Sequence, residues 1–102
     1  AEVKPSAVAL VVEVERGGGS SQGGETALTV IVRAGRLAVG QYFVVGTAFG
    51  RITRLATAFE AGVGGWAECE TATVGIAVHL AGLRTKKLGG DCAPDDLLFA
   101  LP

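Results

Sequence analysis

The sequence lacks several features that would place it in a specialised class of protein. It contains no methionine and only three prolines, and its nine basic and ten acidic residues leave a net charge of −1. Without an excess of positive charge, general attraction to nucleic acid or to an anionic membrane is excluded, and such binding would need a local basic patch. Because methionine is missing, we expect a fragment or a processed product of a longer protein.

Long apolar runs are missing too. Charged residues and glycines interrupt every apolar stretch, whereas a membrane-spanning helix needs about 18–20 consecutive apolar residues. The first residues do not combine a basic segment with an apolar one, as a secretory signal peptide does. We therefore expect a soluble chain with no membrane partner.

Metal-ligating residues are scarce. Cys69 and Cys92 are the two cysteines, they do not form a Cys-x-x-Cys motif, and His79 is the one histidine. A structural zinc ion takes four such ligands, so a site built from these residues would be one ligand short. Two free thiols are favoured over a disulfide, which indicates a reducing, intracellular compartment. The sequence thus predicts no metal site.

What the sequence does contain points to one all-β domain over residues 1–102. The 102 residues are 49% hydrophobic and include 16 glycines, which suits one domain with a single core. Short β-branched runs separated by turn residues are typical of strands, and alternation predicts their buried faces. The predicted strands cover residues 7–16, 26–33, 42–45, 51–56, 73–80 and 97–101. The side chains predicted to face inward are Val8, Leu10, Val12, Val14, Leu28, Val30, Val32, Ile52, Val74, Ile76, Val78 and Leu80.

The segments between these strands are predicted to be turns and loops. Residues 36–39 and the stretch from Gly46 to Gly50 are expected to be turns, and residues 57–71 a long connection. Six short strands at this spacing indicate a small closed antiparallel β-barrel, since closure removes the exposed strand edges that promote aggregation.

No catalytic constellation is found. The glycine cluster at 17–24 is followed by Glu25 and a strand, whereas a phosphate-binding loop needs a lysine, a Ser or Thr and a helix N-terminus. His79 alternates with Val78 and Leu80, which predicts an outward, solvated side chain. A solvated histidine is favoured over a catalytic base, because no serine or cysteine nucleophile lies at a readable spacing. Asp95 and Asp96 follow Pro94 and are expected to form a turn rather than to bind a metal. We therefore expect no enzymatic activity in this chain.

Two aromatic residues are candidates for stacking on nucleic-acid bases. For Tyr42, burial in the core is favoured over stacking. Trp66 lies among glycines, and both alternatives remain open for it.

Basic residues are concentrated in one stretch of the sequence. Four arginines and no acidic residue occur between residues 33 and 54, whereas the following connection carries Glu60, Glu68 and Glu70. Arginine binds phosphate with two hydrogen bonds and stacks on bases, so this block is a candidate RNA contact. Scattered solubilising charge is an equally open alternative. The candidates are Arg33, Arg36, Arg51 and Arg54, with a second group, for which a solvated loop is favoured, at Arg84, Lys86 and Lys87.

The segment AGRLAVGQYFVVGTAFGRITRL, residues 34–55, resembles a known family. It has a Gly-x-Leu-x-x-Gly turn before an apolar strand and the pair Gly50-Arg51 at the start of the next strand. These features resemble the β-barrel domain that follows the GTPase domain in translation factors. With Gly46-Thr47 and Phe49-Gly50-Arg51, the segment is most similar to domain II of bacterial and organellar translation initiation factor 2. Gln41 departs from the acidic residue that the family has there.

The resemblance implies a non-catalytic barrel that couples a GTPase domain to the small ribosomal subunit during initiation. Its partners would be small-subunit RNA and the adjacent GTPase domain. That neighbouring domain, and not this chain, would bind GTP and magnesium. The long segments at 62–66 and 84–90 favour a mitochondrial factor over one of the bacterial cytoplasm. The barrel of an elongation-type translational GTPase, and a structural or protein-interaction barrel without RNA contact, remain alternatives, with an enzyme a more distant one.

Overall fold

The computed structural model describes residues 4–15, 26–58, 66–84 and 92–102. Strands and turns make up this part of the chain, and it contains no helix that could cross a bilayer. Its nine strands are β1 (Ala7–Glu15), β2 (Thr26–Gly35), β3 (Leu37–Ala38), β4 (Tyr42–Val45), β5 (Ala48–Ala58), β6 (Trp66–Cys69), β7 (Thr71–Ala72), β8 (Ala77–Arg84) and β9 (Leu97–Ala100). The glycine cluster at 17–24 lies outside the described residues.

Six of the strands close into an antiparallel barrel. They are hydrogen-bonded in the order β4-β9-β1-β2-β8-β5, and pairing between β4 and β5 completes the ring. Strand β6 extends the sheet beyond β5, while β3 and β7 form a separate two-stranded pair. The predicted all-β fold with a small closed antiparallel barrel is confirmed.

Alternating apolar side chains fill the barrel interior. In β2, Leu28, Val30 and Val32 are fully buried, as predicted, and β1 and β8 flank that strand. Full burial of one such side chain contributes about 1.5–3 kcal/mol to folding, so the interior stabilises this closed ring. The largest fully buried side chains are Phe43, Leu28, Leu37, Ile52, Leu55, Leu80 and Leu98.

The predicted inward face of β1 is wrong. Ala7, Ala9 and Val11 are the buried residues, while Val12 is 47% exposed and Val8, Leu10 and Val14 are half-buried. The run is apolar on both faces, so its alternation does not reveal which face points inward. The pairing register also shifts between Val11 and Glu13, as at a β-bulge, and the alternation then changes phase so that Val14 packs against the core.

The predicted start of the fifth strand is also wrong. Val74 and Ile76 are 57% and 38% exposed, and β8 begins only at Ala77. The Ile76 N–H donates to the Thr73 carbonyl at 3.4 Å, so these residues form a turn. Gly75, at φ +88°, adopts a conformation there that other residues rarely reach. Val78 and Leu80 are buried as predicted.

Several segments predicted to be turns or connections contain strands. Leu37 lies fully buried in β3, within a predicted turn, and Gly50 lies inside β5 because the actual turn covers residues 46–47. The predicted connection at 57–71 includes the end of β5, all of β6 and the start of β7. The two-residue strands β3 and β7 are defined by hydrogen bonds to each other across more than 30 residues of sequence, so a local pattern does not reveal them.

The contact between β5 and β8 depends on Gly82. The register between the two strands shifts between Gly50 and Arg54. Gly82 has φ +121°, and a Cβ atom at this position would overlap the carbonyl oxygen of Arg51. A glycine therefore lets β8 approach the backbone that carries Arg51.

Candidate nucleic-acid interface

The four arginines of the basic block are all exposed on two strands and their flanks. Arg33 lies in β2 and Arg36 directly after it, while Arg51 and Arg54 lie in β5. Strand β8 separates β2 from β5 in the barrel wall. The arginines are therefore divided between two strands that are not adjacent in the barrel wall.

The strand registers place these arginines at different levels of the barrel. Arg54 is opposite Ala81 of β8, which in turn is opposite Ala27 of β2. Arg33 lies six residues further along β2 than Ala27, a separation of about 20 Å at ~3.4 Å per residue. Arg33 and Arg54 thus cannot contact the same phosphate group.

Arg36 borders a shallow groove at the end of β2. Ser6, Gln41 and Thr73 also line this groove. The Gln41 side chain is engaged in the turn, since its Oε1 accepts a hydrogen bond from the Ala38 N–H at 2.9 Å. Gln41 therefore stabilises a surface turn. The guanidinium of Arg36 and the hydroxyls of Ser6 and Thr73 provide donors of the kind that bind phosphate oxygens.

Arg51 is held against Tyr42, its register partner across the β4–β5 pair. Its guanidinium carbon lies 5.6 Å from the centre of the Tyr42 ring, and its Nε donates to the Gly40 carbonyl at 3.2 Å. Tyr42 is 59% exposed, so its predicted burial in the core is wrong. An exposed cation–π contact contributes about 0.5–1 kcal/mol, enough to favour one orientation of this arginine.

Arg54 lies beside an acidic residue. Its Nε is 3.7 Å from the Glu68 carboxylate, and both side chains are largely exposed. Glu68 belongs to the acidic stretch that is separate from the arginines in the sequence, but pairing of β5 with β6 brings it to Arg54. Such an exposed pair adds only about 0–1 kcal/mol to stability. Its main effect is to balance the positive charge locally.

The second basic group lies largely outside the described residues. The Arg84 backbone ends β8 opposite Phe49 of β5. The side chain of Arg84, together with Lys86 and Lys87, falls outside the described part of the chain, as does the side chain of Trp66. Their predicted roles remain predictions.

The remaining predicted features are structural. His79 faces outward and is half-buried, with its Nε2 at 3.4 Å from the Glu15 carboxylate. Asp96 stabilises the predicted turn, because its Oδ2 accepts a hydrogen bond from the Ala93 N–H at 2.8 Å. Cys69 is a half-buried free thiol, and Cys92 is buried. Among the described residues, no three His, Cys, Asp or Glu side chains come together as a metal site.

Comparison with known proteins adds a structural similarity. No protein-family model and no curated protein matches the sequence. The fold is similar to the crystal structure of GDP-bound aIF5B from Aeropyrum pernix, with a TM-score of 0.71 and 16% sequence identity. The similarity covers 98% of this chain and 17% of that one. At this low identity the likeness shows that the chain shares the β-barrel fold of part of aIF5B.

Proposed function

We propose that this chain is the β-barrel domain that follows the GTPase domain in a translation initiation factor. The observation that carries the proposal is the structural similarity to a translation initiation GTPase over 98% of the chain. The segment 34–55, on which the sequence resemblance rests, forms β3, β4 and the first half of β5. The sequence resemblance and the fold similarity thus both support the barrel of a translation initiation factor.

In the proposed role, the chain couples a GTPase domain to the small ribosomal subunit and does not itself catalyse a reaction. In this proposal GTP and magnesium bind to the neighbouring GTPase domain, because this chain has no lysine-bearing phosphate loop. The barrel provides a rigid body between that domain and the small ribosomal subunit. The similar structure is archaeal, so the assignment to a bacterial or organellar factor, and to mitochondria, rests on the sequence resemblance alone.

Arg33 and Arg36 are the proposed contacts with small-subunit RNA. Both are exposed at the same end of β2, and Arg36 borders the groove with Ser6 and Thr73. Arg51 provides a further cation beside an exposed ring, whereas the charge of Arg54 is balanced by Glu68. The end of β2 is therefore the better phosphate-binding surface.

Binding of the full-length factor to purified small subunits across a salt series tests this proposal. Replacing Arg33 and Arg36 with glutamate should weaken binding and reduce the slope of log affinity against log salt by about 2, since each phosphate contact releases counterions. The double variant Lys4→Glu/Arg54→Glu has the same net charge and serves as the control. Equal losses in both variants would indicate a general charge effect and contradict a contact at the end of β2.

A further inference from the structure

The exposed aromatic side chains lie together on one side of the barrel. Tyr42, Phe49 and Phe99 are 59%, 40% and 37% exposed. They belong to β4, β5 and β9, and β4 is hydrogen-bonded to both of the other strands. Among the residues whose side chains the structure describes, no other aromatic residue is exposed, since Phe43 is buried. Exposed aliphatic side chains also occur elsewhere on the described surface, whereas the rings are grouped here.

Strand register brings the three rings within reach of one another. Phe49 is opposite Val44 of β4, and Val44 is opposite Phe99 of β9. Tyr42 lies two residues before Val44 on the same face of β4. With strands about 4.8 Å apart and outward residues ~6.8 Å apart along a strand, the Cα atom of Tyr42 is roughly 8 Å from those of Phe49 and Phe99. Aromatic side chains at such diagonal positions reach each other, so we call Tyr42, Phe49 and Phe99 the aromatic face.

Positive charge borders the aromatic face. Arg51 is opposite Tyr42, with its guanidinium carbon 5.6 Å from the ring centre, and the backbone of Arg84 is opposite Phe49. Strands β4, β5 and β9 contain no acidic residue. The two aspartates at 95 and 96 come before β9, at its end away from Tyr42. A ligand at the Tyr42 end of the face therefore meets an arginine, which suits an anion.

The aromatic face continues toward the groove at the end of β2. The Leu101 N–H donates to the Tyr42 carbonyl at 2.7 Å. The Ser6 N–H donates to the Ala100 carbonyl at 2.7 Å, and the Ser6 carbonyl accepts from the Arg36 N–H at 3.4 Å. Tyr42 and Arg36 are thus at the same end of the barrel wall, separated by β9 and β1 and about 14 Å apart along the sheet. An RNA strand whose phosphates bind in the groove can therefore extend onto the aromatic face.

Unpaired bases suit the aromatic face better than duplex RNA or protein does. Bases stack on aromatic rings and on arginine largely regardless of sequence, and sheets with aromatic residues on neighbouring strands bind two or three bases of single-stranded RNA in this way. In a duplex the bases stack inside, and proteins contact mostly phosphates and 2′-hydroxyls, so exposed rings gain little. Protein interfaces also use tyrosine and arginine, but the adjoining groove offers phosphate-binding donors, which favours RNA.

We propose that the aromatic face stacks on unpaired bases of the RNA strand whose phosphates bind Arg36 in the groove. Tyr42, the most exposed of the three rings, is the main stacking residue, and Arg51 keeps a cation beside it. Phe49 and Phe99 extend the stacking surface to further bases. The inference rests on the proposed function and adds that the bound RNA segment is single-stranded.

Binding of the 102-residue chain to a fluorescein-labelled oligoadenylate of about eight nucleotides tests the proposal. Fluorescence anisotropy at ~50 mM salt, with protein up to about 1 mM, detects weak binding. We expect saturable binding to the single strand and at least about tenfold weaker binding to an RNA duplex of the same length. A wild-type chain that does not bind the single strand in this range, or that binds the duplex equally well, overturns the proposal.

Two substitutions at Tyr42 separate stacking from general apolar contact. Tyr42→Leu removes the ring but keeps an apolar side chain, and it should raise the dissociation constant for the single strand about 5- to 150-fold. Tyr42→Phe keeps the ring and should change that constant by less than about twofold. Circular dichroism checks that both variants fold, as the exposure of this residue allows. Equal affinities of Tyr42→Leu and wild type overturn the proposal, and they are expected if the aromatic face binds a protein instead.

The same variants in the small-subunit assay separate this inference from the proposed function. We expect Tyr42→Leu to weaken binding of the full-length factor to small subunits, and Tyr42→Phe to leave it unchanged. Weakening by Arg33→Glu/Arg36→Glu but not by Tyr42→Leu overturns the stacking and leaves the proposed function standing. Subunit binding that neither variant affects contradicts the proposed function, whereas oligoadenylate binding that depends on the Tyr42 ring would still support the aromatic face.

Discussion

Replacing Gly82 with alanine should destabilise the barrel strongly, because two unfavourable effects coincide at this position. Its φ of +121° is strained for any residue with a Cβ atom, at a cost of about 1–3 kcal/mol. The new Cβ would also overlap the Arg51 carbonyl oxygen and lie 3.0 Å from the Thr53 nitrogen. Moving β5 away should cost a further ~1–3 kcal/mol, as other overpacked substitutions do. We expect a total loss of about 2–6 kcal/mol.

Gly75→Ala separates the two effects. Gly75 has φ +88° but no atom within 4 Å of an added Cβ, so alanine there should cost only about 1–2 kcal/mol of backbone strain. Both variants restrict the unfolded chain equally, and that contribution cancels in the comparison. Urea unfolding followed by far-UV circular dichroism gives both free energies. Equal losses in the two variants would refute the close approach of β8 to β5.

Three further predictions concern the core and the surface. Val30→Asp, at a fully buried position, should unfold the chain, because an unpaired buried carboxylate costs several kcal/mol out of a total stability of ~5–15 kcal/mol; a native circular dichroism spectrum would contradict this. Leu37→Ala should cost about 2–5 kcal/mol in urea unfolding, since Leu37 is fully buried in β3; a loss below ~1 kcal/mol would mean that β3 does not pack on the core. Glu68→Gln should change stability by less than about 1 kcal/mol, as an exposed ion pair allows, and a larger loss by the same measurement would show a stronger pair.

The sequence was sufficient to predict the fold class and the longer strands. In β2, Thr29 and Arg33 alternate with Leu28, Val30 and Val32, which are buried as expected, although Ile31 on the outward face is also apolar. In β1 both faces are apolar, so the pairing partners and a bulge decide which residues turn inward. Strands β3 and β7 have two residues each, too few to show an alternation, and each forms only by pairing with the other across more than 30 residues of sequence.

The candidate interface could be predicted only in part. Exposure of the four arginines follows from their charge, but their grouping depends on strand order, which separates Arg33 from Arg54 and brings Glu68 to Arg54. The contact between Tyr42 and Arg51 was missed, although a signal for it exists. The two-residue turn at Gly46-Thr47 sets the register of the β4–β5 hairpin, and counting outward from that turn pairs Tyr42 with Arg51.

GTP binding by the longer polypeptide that the proposed function implies tests the central claim most directly. Isothermal titration with GTP and magnesium should show saturable binding to that polypeptide and none to the 102-residue chain, because the chain supplies no phosphate-binding loop. The loss of binding on replacing the phosphate-loop lysine upstream of the barrel would identify the GTPase domain as the site. A longer polypeptide that does not bind GTP, or an isolated barrel that does, would contradict the assignment to a translation initiation GTPase.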